Sequence, residues 1–383
     1  MRWQCARLVL LAVLLCAACS PSRGIEAVRI LADLSRPGSA GAGDVAPTPV
    51  ILPPGSGIAA GDLYWPADAA AALVLVPGVV PEGKDDPRLI NFAQTLVRAR
   101  FAVLVPDIAN LRGQKVSPED ARAVAAAIAW LAACGPSDGR SVGVVAISYA
   151  AGPAILAALR PDAGPRVRFL VAIGGYYDLE AVVTFFTTGY FRPGPEQPWR
   201  HAEPNAYGKW VFVAANAERL DDPSDRARLA AMAERKLKDL NAGVADLEAG
   251  LGPQGRAVTA LLDNRDPEHV PALIDGLPEA VRADLAALDL ARRDLSQLDA
   301  RLLLVHGRDD PIIPSTESVA LAAAAPDATL YLVGSLAHVE LSPASLVDGF
   351  RLWRAAAWLL AERDGAPAPD RAACPSRNRL TRP

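Results

Sequence analysis

In the stretch Val144-Val145-Ala146-Ile147-Ser148-Tyr149-Ala150-Ala151-Gly152, a β-type run ends at a serine and gives way at once to a helical pattern. A strand can turn into a helix that sharply only if the residues two before and two after the serine are small, and Ala146 and Ala150 meet this need. The turn exposes the serine oxygen above the strand end. The positive end of the helix dipole and the amide of Tyr149 then face the same space. Alone, such a stretch is an ordinary strand–helix junction, and its neighbours decide whether it is more.

Working outward, strands are expected over residues 58–65, 73–76, 103–105, 142–147 and 169–173, with Pro77-Gly78 stopping the second and a proline ending the third. Helices are expected between them, over residues 86–100, 117–134 and 150–160. The second opens on Ser117-Pro118-Glu119-Asp120, with a capping hydroxyl, a proline at the first position and acids near the positive dipole end. Strand and helix alternating at this pitch predict a parallel sheet with right-handed crossovers. After Asp178 the alternation stops, and it resumes at Arg301. The intervening stretch carries Phe185, Phe186, Tyr190, Phe191 and Trp199, then long helical patterns over 226–247 and 279–298. It is too long and too apolar for a loop, which predicts an inserted helical cap. Two further strands (302–305 and 329–333) and a closing helix (346–360) follow.

Two loops beyond the cap carry polar chemistry. His306-Gly307-Arg308-Asp309-Asp310-Pro311-Ile312-Ile313-Pro314 follows one aliphatic strand, and Gly334-Ser335-Leu336-Ala337-His338 follows the next. With the serine turn, these loops resemble the α/β-hydrolase superfamily, whose nucleophile elbow is usually written G-x-S-x-G and whose catalytic residues come in the order Ser, Asp, His. Asp310 stands three residues after Gly307, and Pro314 four further on, as in the acid loop of that family. The resemblance covers residues 58–178 and 301–360 and implies a mostly parallel eight-stranded sheet with the cap above its carboxyl edge. It implies Ser148 as nucleophile, His338 as base and Asp310 as the acid that orients the imidazole. The backbone amides of Val79 and Tyr149 would form the oxyanion hole, with Val80 the alternative to Val79. Ala146, Ala150 and Pro77 depart from the family pattern, Pro77 standing where His-Gly is common.

Other polar residues carry blander readings. Asp178 is a cap-entry residue or the alternative triad acid, Asp107 caps a turn, and Asp309 is an exposed neighbour. His306 sits at a strand end, while His201 and His269 belong to the cap. The cap aromatics either pack the cap onto the core or line a substrate pocket. Ester hydrolysis of a small-molecule acyl substrate is the first expectation. The same triad serves thioesters, lactones, amides and acyl transfer, and an idle hydrolase fold acting as a cell-envelope binding module is the alternative from another class. A nucleophile other than Asp disfavours the dehalogenase and epoxide-hydrolase branches. With no paired-histidine helix motif, no P-loop and no G-x-G-x-x-G after a strand, no metal or cofactor is expected.

Composition agrees with a packed globular chain: 383 residues, 51% hydrophobic and 21% charged. Lys and Arg number 39 against 43 for Asp and Glu, without a basic block, which argues against a nucleic-acid partner. Domain organisation is accordingly read as a leader (1–19), a tether with an edge strand over 26–31 (20–57), a first core part (58–180), the cap (181–300), a second core part (301–362) and a polar, flexible tail (363–383). Arg2 and Arg7 precede an apolar run over 8–15, too short to span a bilayer, and Ala17-Ala18-Cys19 follows. Cys16-Ala17-Ala18-Cys19 resembles a bacterial lipobox with Cys16 where Leu is usual, which implies lipidation of Cys19, a membrane anchor and an extracytoplasmic location. An ordinary cleaved secretory signal and an uncleaved anchor are the alternatives. In an oxidising compartment, the hydrolase fold would bring Cys134 and Cys374 to the bottom of the sheet, either paired or as two thiols. Metabolic labelling with a palmitate analogue is expected to tag the wild type and not Cys19→Ala; label on the variant would refute lipidation at this residue.

Overall fold

The aliphatic runs become the strands of one sheet in the computed structural model, which describes residues 21–35, 44–53, 57–135, 141–194, 196–334, 336–337, 340–341 and 345–375. Strands β1 (Thr48–Ile51), β2 (Ile58–Tyr64), β3 (Ala71–Val76), β4 (Phe101–Ile108), β5 (Val142–Ile147), β6 (Val167–Ile173), β7 (Arg301–Gly307) and β8 (Ala328–Val333) lie in the order β1-β2-β4-β3-β5-β6-β7-β8. β2 runs antiparallel to both β1 and β4, and every pairing from β4 through β8 is parallel. This strand order and sense are those of the α/β-hydrolase fold. β4 continues through Pro106, which was expected to end it.

Both faces of the sheet are covered, so the central strands are apolar throughout. Val74, Val144, Leu170 and Leu304 enter one core, while Leu73, Val145, Val171 and Leu303 enter the other, as the two-residue strand period requires. Gly143 is the small partner that admits Phe169 from the neighbouring strand: a Cβ there would meet the Phe169 ring at 2.1 Å. Helices α2 (Pro87–Arg98), α3 (Glu119–Ala132) and α4 (Ala151–Ala158) make the crossovers. α2 opens on Asp86, whose carboxylate accepts the Arg88 amide at 2.8 Å. At the start of α3, Ser117 Oγ accepts the amide of Glu119 while Asp120 accepts that of Ser117.

Between β6 and β7 the chain adds no strand to this sheet and folds mainly as α5 (Leu179–Thr188), α6 (Tyr207–Asn216), α7 (Pro223–Lys238), α8 (Pro253–Asp263), α9 (Val270–Asp275) and α10 (Glu279–Leu288). The helices expected over 226–247 and 279–298 are both shorter. α7 stops where Asp239 turns to accept the Asn241 amide, and α10 where Asp289 accepts that of Ala291. In each case a short acidic side chain offers the backbone a competing bond. The aromatics of this segment pack mostly on one another, Phe185 on Phe191 and Phe186 on Phe212. α11 (Thr316–Ala324) joins β7 to β8.

The two ends of the described chain differ from expectation. Residues 26–31 are not an edge strand but part of helix α1 (Pro21–Leu34). Its inward residues Ala27, Ile30, Leu31 and Leu34 follow helical spacing and pack beside the closing helix α12 (Leu346–Asp364), whose Trp353 donates to the Gly24 carbonyl at 2.9 Å. The edge strand is Thr48–Ile51 instead, where Pro49 is tolerated because an edge residue needs no donor toward solvent. The supposed free tail is seated as far as residue 375: the Asp370 amide donates to Cys134 O at 2.7 Å, and Arg371 reaches Thr48 Oγ1 at 3.1 Å. Cys134 and Cys374 are joined by a disulfide across a sequence separation of 240. Among the described residues, no helix is long and apolar enough to cross a membrane. Closing so long a loop restricts the unfolded chain, so Cys134→Ser is expected to lower unfolding free energy by about 2–4 kcal/mol in urea titrations. No loss, together with two alkylatable thiols in the unreduced wild type, would refute the bond.

Candidate active site

Parallel strands end together, so the loops after β3, β5, β6 and β7 share one edge of the sheet. Val76 pairs with Ala146, and Ile147 is linked through Ile173 to Val305. Ser148 is the first residue beyond β5 and opens a single 3₁₀ turn, Ser148–Ala150, before α4. Its φ is +57°, a left-handed backbone that a non-glycine residue adopts at a cost of roughly 1–3 kcal/mol. Close packing holds it there. Ala146 and Ala150 are fully buried, a Cβ on Gly175 would stand 2.6 Å from that of Ala151, and one on Gly152 would fall 2.0 Å from the Tyr176 hydroxyl. Tyr176 in turn stacks on Tyr149 at 5.9 Å and donates to the Leu288 carbonyl at 3.0 Å. The Tyr149 hydroxyl approaches Asp120 at 3.5 Å. Burial lifts the Asp120 carboxyl to about 6, against the opposing hydrogen bonds from Asn110, Ser117 and Tyr149.

The loop after β3 abuts this turn. A Cβ on Gly78 would lie 3.8 Å from Ser148 Cβ, and Val79, the next residue, is buried. On the other side, beyond β7, Asp309 is exposed and Asp310 buried. Asp310 Oδ1 accepts the amides of Ile312 at 2.8 Å and Ile313 at 3.0 Å, which fixes the plane of the carboxylate. His306 lies fully buried beneath the same loop, with Nδ1 2.6 Å from Ser318 Oγ and Nε2 2.9 Å from the Ile313 carbonyl and 3.3 Å from Asp310 Oδ2. A carbonyl can only accept, so Nε2 carries a proton that it donates toward the Ile313 carbonyl. His306 is therefore a brace for the acid loop. His338 lies outside the described residues, as does Cys19.

The remaining candidates stand apart from this edge or serve local structure. Asp178 caps α5, accepting the amides of Glu180 and Ala181 at 2.8 and 3.2 Å. Asp107 faces Arg112 at 3.5 Å. His201 packs on Tyr190, and His269 pairs with Asp266. Trp199 donates to Glu268 and lies under Arg192, an arrangement of surface packing. Among the described residues, no group of three or more His, Cys, Asp or Glu side chains is placed to hold a metal ion.

No protein-family model matches the chain, and no curated protein does. Among solved structures it is similar to a hypothetical protein from Pseudomonas aeruginosa, at 18% identity and a TM-score of 0.45, over 85% of this chain and 96% of that one. It is similar to an alpha/beta hydrolase fold protein from Nakamurella multipartita, at 20% identity and 0.41, over 84% and 100%. It is also similar to a meta-cleavage product hydrolase from Pseudomonas fluorescens, at 15% identity and 0.43, over 83% and 98%. Scores of this size carry no chemistry across, and the fold assignment rests on strand order and sense.

Sequence reading passed over Glu317, one residue inside α11. It is buried, and its Oε2 accepts the amides of Tyr177 at 3.0 Å and Asp178 at 2.8 Å, tying the acid-loop side of the edge to the loop after β6. Burial is the largest cause pushing its carboxyl up to about 8; the two amides oppose it, and the charges of Asp178 and Asp289 add to it. A folded-state value above the ordinary 4.5 means that this group's contribution to stability is complete below pH 4.5 and is lost as pH rises through 8. Glu317→Gln does not titrate. The stability of wild type minus that of the variant, from urea unfolding at several pH values, is expected to fall steadily across this window; a flat difference would show that Glu317 ionises normally.

Proposed function

We propose that the chain is a serine hydrolase of carboxylic esters. Ser148 attacks the ester carbonyl, His338 takes the hydroxyl proton and passes it to the leaving alkoxide, and Asp310 holds the imidazole in the required tautomer. The amides of Val79 and Tyr149 stabilise the oxyanion, and water then releases the acyl group from Ser148 through the same base. The observation that carries this reading is the left-handed backbone of Ser148 at the crest of a strand-to-helix turn. A plain connection has no use for strain that a glycine there would relieve, whereas a nucleophile must stand clear of its own strand. Burial of Asp310, with one oxygen fixed by two backbone amides, supports its role as orienting acid. A lipid on Cys19 would place the reaction at a bacterial envelope membrane, with small acyl esters as substrates.

A fluorophosphonate probe is expected to label the wild type at Ser148, with no label on Ser148→Ala. Turnover of aryl esters across a chain-length series should fall in that variant by about 10³-fold or more in kcat. An unlabelled wild type inert toward every ester in the series would mean that the fold is idle.

A further inference from the structure

We propose that Tyr207, the first residue of α6, is a positioning residue that holds the oxyanion loop in its working conformation. The inference rests on the preceding reading, in which an amide of this loop binds the oxyanion. Pro77 and Pro81 both lie in the loop after β3 and have no N–H, and the loop's own turn bond, from the Gly83 amide to the Val80 carbonyl at 3.0 Å, does not engage the Val79 carbonyl. Its Val79 carbonyl instead accepts the Tyr207 hydroxyl at 2.8 Å, from a residue 128 positions further along the chain. The peptide unit is planar and trans, so anchoring that carbonyl sets the plane between Val79 and Val80. It thereby restrains the ψ of Val79 and sets the direction of the Val80 amide directly, and it reaches the Val79 amide only through the φ of Val79.

The phenol is itself oriented. It accepts from Gln114 Nε2 at 3.2 Å, and Gln114 is held in a left-handed backbone with φ +54°. Burial raises the phenol's pKa, so the hydroxyl keeps the proton it donates. The backbone around Tyr207 is tied in the other direction too. Its amide donates to Asn205 Oδ1 at 2.9 Å, and the Asn205 amide donates to the carbonyl of Pro311, beside Asp310, at 2.7 Å. Residues 205–207 thus form a strap from the segment between β6 and β7 that reaches the oxyanion loop on one side of Ser148 and the acid loop on the other. A helix cap alone would need neither long-range contact.

Tyr207→Phe keeps the ring and removes the bond to Val79. Losing an oxyanion donor outright costs on the order of 10²–10³-fold, and a loosened one is expected to cost about tenfold in kcat for aryl esters, with KM within about twofold. The rate of fluorophosphonate labelling should fall in parallel, while Ser148 is still labelled to completion. Hydrogen exchange at the Val79 and Val80 amides should quicken in the same variant, a readout that needs no catalysis. If the wild type proves inert, faster exchange still upholds the strap and only the functional reading fails. Unchanged exchange overturns the strap, as does an unchanged kcat in an active, folded variant. Should Tyr207→Phe not fold, Gln114→Ala takes its place: about a threefold loss in kcat at constant KM is expected, and no loss overturns the proposal.

Discussion

The left-handed turn at Ser148 is the constraint around which this end of the molecule is built. A strand that ends in a helix without an intervening loop has to reverse its backbone twist within one residue, and that residue carries the strain. Burying an aromatic side chain contributes roughly 1.5–3 kcal/mol, and a stacked pair roughly another 0.5–1.5. Tyr176 and Tyr149 together therefore offset a strain of about 1–3 kcal/mol. Tyr176 fits only because position 152 has no side chain, and the loop after β6 closes on Ala151 only because position 175 has none. The small residues flanking the serine are alanines, and the positions of this turn that admit no side chain are 152 and 175.

Polar burial is handled by the same economy of contacts. His306, Glu317 and Asp310 are all buried near one edge of the sheet, and each binds backbone groups. A buried carboxyl or imidazole without partners would cost several kcal/mol, but bonds to main chain turn that liability into positional rigidity. Asp310 is oriented by its own loop, His306 holds that loop from beneath, and Glu317 fixes the exit from β6. The disulfide lies at the opposite end: Cys134 follows the end of α3 and precedes the start of β5, at the amino edge of the strands. It braces the scaffold without touching the site.

What was legible in the sequence was whatever is decided locally. The central strands could be read because parallel strands buried on both faces are continuous aliphatic runs. The turn at Ser148 and the loop around Asp310 could be placed at the ends of their strands because each leaves a short spacing of small residues, Gly and Pro. The rest is decided by partners far along the chain. α1 is a helix because α12 is there to cover Ala27 and Ile30, more than 300 residues away by the Gly24–Trp353 bond. β1 is only four residues long, with Pro49 interrupting its β-branched residues, and it takes its place in the sheet by pairing with β2. The helices between β6 and β7 were overestimated because an apolar period says nothing about an aspartate that diverts the backbone at its end. Neither Tyr207 nor Glu317 stands in a motif, since each acts on a loop more than 120 residues distant.

That distinction bears on how such a site can vary. Ser148 and Asp310 follow β5 and β7, so the sheet itself sets where each stands, whatever changes elsewhere in the sequence. The loop after β3, the proposed oxyanion loop, is less firmly placed, because it contains two prolines that cannot donate hydrogen bonds. Besides its own turn bond from Gly83 to Val80, it is held by Tyr207, from the segment between β6 and β7. On the proposed reading, the contact from Tyr207 to Val79 makes that segment a structural part of the site, beyond any part it plays in shaping access to Ser148. On that reading, replacing the segment wholesale would alter the rate of the proposed chemistry as well as access to Ser148, even with every residue of the sheet edge unchanged.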